Sequence, residues 1–222
     1  MTDGLFPEKP IAGPAPQGLG RMMTGGGANV DRQGNDYYPT PATVTRALIA
    51  AEREALVTMC DGHHPVWEPC GRGGAIAKEL RVAGFATVAS DLVPDPDNLV
   101  AQQDLLLCGE AWSPVVVTNP PFALAEEMIR HLLVDLRCTY VAMLLKASFW
   151  HAQARTGLWR QRQPQRIWAL NWRPDFLGKG APTMEVIWCV WDDEAVDRDC
   201  RYDVLTPFRA PDLLAQADPE PG

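Results

Sequence analysis

The sequence has no C-x-x-C pair. Its 6 cysteines, Cys60, Cys70, Cys108, Cys138, Cys189 and Cys200, are scattered, which suggests neither a zinc site nor a disulfide framework and suits a reducing cytoplasm. Histidine is scarce: of 4 residues only His63-His64 are adjacent, and they read as a solvated loop ahead of the first strand, so no metal is expected. No apolar run approaches the roughly 20 residues that span a bilayer, and no membrane partner is expected. The G-x-G-x-x-G spacing of dinucleotide folds is also missing, because the position five residues after Gly71 is Ile76. That disfavours nicotinamide and flavin binding. Nor is there an overall basic excess: net charge is −8 over 222 residues, which weighs at first sight against a nucleic-acid partner.

The most informative feature present is Asn119-Pro120-Pro121-Phe122, at the end of the apolar run Val115-Val116-Val117-Thr118. A β-branched run cut off by two prolines reads as a buried strand that stops abruptly. Open α/β sheets place ligands at such ends. The Asn119 side-chain oxygen and the Pro120 carbonyl can both accept from one amino group, and Phe122 offers a flat face for a ring. Upstream, Val66-Trp67-Glu68-Pro69-Cys70-Gly71-Arg72-Gly73-Gly74 precedes the helical pattern Ala75–Leu80. Strand, glycine turn and helix start form the opening of a nucleotide-binding unit, where glycine lets backbone approach a ligand. Glu68 before the glycines would repel a pyrophosphate and suits a cationic group. Asp91 closes the next strand, where an acid commonly holds ribose hydroxyls, and Asp104 follows at the expected distance for a third.

These motifs resemble those of class I S-adenosylmethionine-dependent methyltransferases, and more narrowly the DNA adenine-N6 enzymes of phage or prophage type. The similarity spans roughly residues 36 to 192, and the family tetrapeptide of Asn or Asp, Pro, Pro and an aromatic is matched throughout by Asn119 to Phe122. The resemblance implies an S-adenosylmethionine site made of Tyr38 and Thr40 from the leading segment Asp36–Pro41, Glu68, Pro69, Cys70, Gly71 and Gly73 from the glycine loop, Asp91 with Leu92, Asp104 with Leu105, and Asn119. It implies catalysis by Asn119, Pro120, Pro121 and Phe122 on an adenine amine of duplex or single-stranded DNA. The large separate target-recognition domain usual in restriction-type enzymes is not expected. RNA adenine methylation, glutamine methylation of protein and an inactive cofactor-binding module remain open alternatives, with cytosine-N4 methylation a chemical neighbour. Cys70 after proline resembles the nucleophile of cytosine-C5 enzymes but stands on the cofactor loop, so it is read as a small residue that fits there.

The alternation of elements implies a Rossmann-like α/β domain with a mostly parallel seven-stranded sheet, its last strand antiparallel. Residues 1–35 are read as a flexible leader, 36–206 as the domain and 207–222 as a tail. Helices are expected at about 41–58, 74–83, 123–136 and 150–161, with strands near 66–68, 86–90, 100–103, 115–119 and 139–146, and a final strand pair at Arg166–Trp172 and Met184–Trp191. Trp168, Leu170 and Trp172 alternate as a packed face. Between Lys146 and Gly180 the chain has seven cations against the single acid Asp175, a local balance of +6 that leaves −14 elsewhere. From this stripe Lys146, Arg155, Arg160, Arg162, Arg173 and Lys179 are candidate phosphate ligands, because screening confines the relevant field to about 10 Å. Phe176, in the glycine-containing loop 173–182, is a candidate to fold over a flipped base.

Overall fold

The computed structural model describes residues 38–180, 182–195 and 199–207. The leader and nearly all of the tail lie outside the described residues. The first element is α1 (Ala42–Cys60), which starts after Pro41 and stops where Asp61 turns left-handed at φ 42° and returns its N–H to the Val57 carbonyl. Val44, Ala47, Leu48, Leu56 and Met59 are buried on one face, the helical spacing of an amphipathic helix. The Trp188 indole pins that face by donating to the Val44 carbonyl at 3.2 Å.

The elements that follow are β1 (Val66–Glu68), α2 (Ala75–Val82), β2 (Thr87–Asp91), β3 (Val100–Gln102), β4 (Val115–Thr118), α3 (Ala125–Arg130, prolonged by a π turn at His131–Asp135), β5 (Tyr140–Lys146), α4 (Thr156–Gln161), β6 (Arg166–Leu170), β7 (Val186–Asp192) and β8 (Arg201–Leu205). They form one sheet in the order β3-β2-β1-β4-β5-β7-β6-β8. Strands β1 to β5 pair in parallel, and β7 runs antiparallel between β5 and β6. The sequence predicted seven strands; the eighth is β8, which pairs in parallel with β6 from Arg166↔Arg201 to Leu170↔Leu205. Its residues are mostly exposed, so no apolar run marks it. The predicted helix at 150–161 is also more broken than expected: two 3₁₀ turns, Phe149–His151 and Gln153–Arg155, precede a short α4.

Alternate residues of β4 and β5 feed opposite cores, which is the period-two geometry of a strand buried on both faces. Val115, Val117, Tyr140, Ala142 and Leu144 pack with α1, and Val116, Val141, Met143 and Leu145 pack with α3 and the segment after β5. Trp168 is buried in the first core with Leu170 and Trp172 packed against it. The parallel strands therefore end together, and their carboxyl ends present Glu68, Asp91 and Asn119 side by side.

Candidate active site

The end of β2 and the loop after it hold the glycine loop. Gly71 donates to the Ser90 carbonyl at 2.8 Å, Arg72 N–H to Asp91 Oδ2 at 3.2 Å and Gly73 N–H to Asp95 Oδ2 at 3.2 Å. Gly73 has φ 74°, a conformation that costs other residues energy. At Gly71 the constraint is space, since a Cβ there would lie 3.0 Å from the Glu68 carbonyl oxygen and 3.2 Å from its side-chain Cδ.

Glu68 is 3% exposed and accepts from Ala77 N–H, in the first turn of α2, at 2.7 Å. Expected at a ligand's cationic end, it is committed first to the loop and helix, with only a small part of its surface in the cleft. Burial pushes its pKa up to about 8, against the pull of the Ala77 and Ile76 backbone N–H groups. A raised folded value means that the protonated form favours the fold: the stabilising contribution is full below about pH 4.5 and is lost as pH rises through about 8. Each pH unit between folded and unfolded values is worth about 1.4 kcal/mol. Between pH 5 and 8, urea denaturation of the ligand-free protein should therefore show stability falling with pH in the native sequence, and a flatter profile in Glu68→Gln.

At the end of β4 the Asn119 amide is tethered from behind. Its Nδ2 donates to the Tyr38 carbonyl at 3.2 Å and to Thr40 Oγ1 at 3.1 Å. A backbone carbonyl can only accept, so this contact sets which way the amide points. Both N–H bonds are spent on the leading segment, and Oδ1 is left as an acceptor. Among the described residues no N–H is donated to the Pro120 carbonyl either. Phe122 is half-buried, and the Lys146 ammonium, at the end of the neighbouring strand, lies 5.0 Å from its ring centroid.

One cleft joins these parts. It is lined by Tyr38, Thr40, Glu68, Pro69, Cys70, Asp91, Leu92, Asp104, Leu105 and Asn119 to Phe122, so all the residues assigned to the cofactor meet there except Gly71 and Gly73, which shape the loop beneath. Asp104 caps the turn Leu105–Leu107 by accepting from Leu106 N–H at 3.0 Å. The cleft also takes in Arg72, Ala75, Gln103, Leu106, Leu124 and Met128, which sequence reasoning missed; all but Met128 stand within two residues of assigned positions and were within reach. The Cys70 thiol is pushed up to about 12, chiefly by burial, which disfavours the thiolate form at neutral pH.

The basic stripe is not gathered as the sequence suggested. Arg155 donates to the Phe149 carbonyl at 2.6 Å and lies 3.6 Å from Glu126. Arg173 is paired with Glu185. Arg166, counted in the local charge balance, is locked to Glu52 and Asp192. Three of the seven cations are thus matched by acids from outside the stripe. Arg162 gives its carbonyl to the Trp191 indole at 2.8 Å, and Trp191 faces Val141 in register. Val141 lies five residues before Lys146, about 17 Å along the strand, so the Arg162 backbone is anchored toward the opposite end of β5 from Lys146. Phe176 is 8% exposed within the core on the α1 side, so it does not present a ring to a flipped base. Its loop is closed by Asp175, which accepts from Leu177 and Gly180 N–H; these backbone bonds, Gly180's first, hold the Asp175 carboxyl below the usual range. Lys146 and Lys179 remain exposed.

No protein-family model matches the sequence, and no curated protein matches it. Solved structures do. The chain is similar to a candidate RNA methyltransferase from Pyrococcus horikoshii, with TM-score 0.56 and 11% identity over 70% of this chain and 85% of that one. It is similar as well to a candidate class I S-adenosylmethionine-dependent methyltransferase from Listeria monocytogenes, with TM-score 0.52 and 15% identity over 83% of this chain and 70% of that one. At such identities the likeness establishes the fold: a mostly parallel Rossmann-like sheet of the class I methyltransferase kind.

Proposed function

We propose that this chain transfers a methyl group from S-adenosylmethionine to the exocyclic amine of adenine in DNA. The observation that carries the reading is the tethered Asn119 amide, which spends its N–H groups on Tyr38 and Thr40 and leaves its oxygen as an acceptor in the cleft that Pro120 also lines; the Pro120 carbonyl is the second acceptor that the reading assigns to an aromatic amine. The donor set fits the cofactor. Asp91 and Asp104 are acceptors for hydroxyl and amine groups, Leu92, Leu105 and Leu106 supply apolar walls for a ring, and Glu68 puts a carboxyl at the loop. When bound, S-adenosylmethionine supplies an electrophilic methyl on a good leaving group.

The protein's own contribution is alignment. An adenine amine is a weak nucleophile because its lone pair is delocalised into the ring. Two fixed acceptors holding both of its N–H bonds would let the nitrogen pyramidalise, direct the lone pair away from them and favour the positive charge that develops on nitrogen. Phe122 provides the surface on which an extruded or single-stranded base stacks. The choice of DNA follows the resemblance of the tetrapeptide and its setting to DNA adenine enzymes. Labelled methyl transfer to duplex DNA, single-stranded DNA, RNA and a glutamine-bearing protein should favour DNA. Transfer to RNA or protein alone would overturn the substrate, and tight cofactor binding with no transfer to any of the four would favour an inactive module.

Asp91→Ala should weaken S-adenosylmethionine binding about ten- to a hundredfold, the loss expected for a hydrogen bond to a charged group. Titration calorimetry checks it, and an unchanged affinity would remove Asp91 from the site. Circular dichroism should accompany the titration, because Asp91 also accepts from Arg72 and Val93 N–H.

A further inference from the structure

Among the cations near the catalytic loop, Lys146 differs from its neighbours. Arg155 and Arg173 each face a carboxylate, whereas among the described residues Lys146 forms no salt bridge and rests its ammonium over the Phe122 ring at 5.0 Å. It is the last residue of β5 and is paired with Val186, so its backbone is held by the sheet while its exposed side chain is free to swing. Cation–π contacts at exposed sites are weak. A base that stacks on Phe122 competes for the same ring.

Resting on the reading above, we propose that Lys146 is the ligand for the phosphate of the target nucleotide: it occupies the Phe122 ring in the free protein and transfers to that phosphate when the base takes the ring. Electrostatics favours the move. Methyl transfer places positive charge on the amine held by Asn119 and Pro120, so an ammonium left against the base would oppose the reaction, whereas the same ammonium on a phosphate binds the substrate. Lys146 thereby becomes the device that separates a nucleotide from a bare amide: a glutamine side chain brings no phosphate to draw the lysine off Phe122.

The test compares the native protein with Lys146→Met, which keeps an apolar stem, and Lys146→Arg, which keeps the charge, using a single-stranded oligodeoxynucleotide and adenosine without phosphate as acceptors. On the oligonucleotide, Lys146→Met should raise KM about tenfold with kcat within twofold. The slope of log affinity against log salt should become shallower by roughly one, the value for one lost phosphate contact. Lys146→Arg should restore both, and transfer to adenosine should be unchanged or faster in Lys146→Met. Equal KM and salt slope in native and Lys146→Met proteins, with DNA methylated by both, would overturn the proposal alone. Equal losses on adenosine and oligonucleotide would also overturn it, since the lysine would then act on the base. A native protein that methylates only a glutamine side chain would overturn the underlying reading and the proposal with it.

Discussion

Asn119→Ala should lower the rate of methyl transfer about a hundredfold or more, while S-adenosylmethionine affinity stays within a few-fold. Losing one aligned acceptor at a reacting centre has that order of effect, and the cofactor's expected partners, Asp91 and Asp104, are untouched. Single-turnover kinetics with saturating cofactor, set beside calorimetric affinity, separates the two effects. The tether adds a second comparison. Thr40→Val removes one of the two acceptors that hold the Asn119 Nδ2 and leaves the Tyr38 carbonyl in place, so its rate should fall between the native protein and Asn119→Ala. A mutant at Asn119 that kept most of its turnover would remove this residue from the chemistry.

The largest effect on stability is expected far from that loop. Glu52, 2% exposed in α1, accepts from Arg166 Nε and Nη2 at 2.7 and 2.8 Å, from the Trp168 indole at 2.6 Å and from the Tyr140 hydroxyl at 3.0 Å. Arg166 continues the network to Asp192 at 2.6 Å. Burial, with the Glu52 charge beside it, holds the Tyr140 hydroxyl well above its ordinary pKa, so it remains a donor. Glu52→Ala would leave two buried donors, the Trp168 indole and the Tyr140 hydroxyl, without their acceptor and the half-buried guanidinium with Asp192 alone, and removing one partner of a buried pair costs about 3–5 kcal/mol. Chemical denaturation should show that loss. Tyr140 opens β5, whereas Asn119 follows the end of the adjacent parallel strand, so kcat measured where the variant is still folded should stay near the native value.

How far the sequence carried the reading depends on range. The glycine loop, the β4 run and the tetrapeptide are local signals: each is a few consecutive residues whose chemistry declares a strand end or a close approach, and the cleft lies where they pointed. The helix–strand alternation was legible for the same reason, as was the packed face of Trp168. Contacts between distant residues were not. The tether joins Asn119 to Tyr38 across 81 positions, and Arg166 meets Glu52 across 114. Without that pairing Arg166 is indistinguishable from a phosphate ligand, which is why the basic stripe looked larger than it is. Phe176 failed for a related reason: in a glycine-containing loop an aromatic reads as a mobile cover, yet the loop folds its ring into the core. Strand β8 carries too little buried apolar surface to announce itself.

The central claim is that the acceptor is an exocyclic amine held by Asn119 and Pro120. Its most direct measurement is mass spectrometry of nucleosides released from DNA after incubation with the protein and isotope-labelled S-adenosylmethionine. Label in N6-methyladenine, absent with Asn119→Ala, is the predicted result. Label in C5-methylcytosine, whose formation needs a covalent nucleophile and makes no use of an acceptor pair for an amine, would contradict the account.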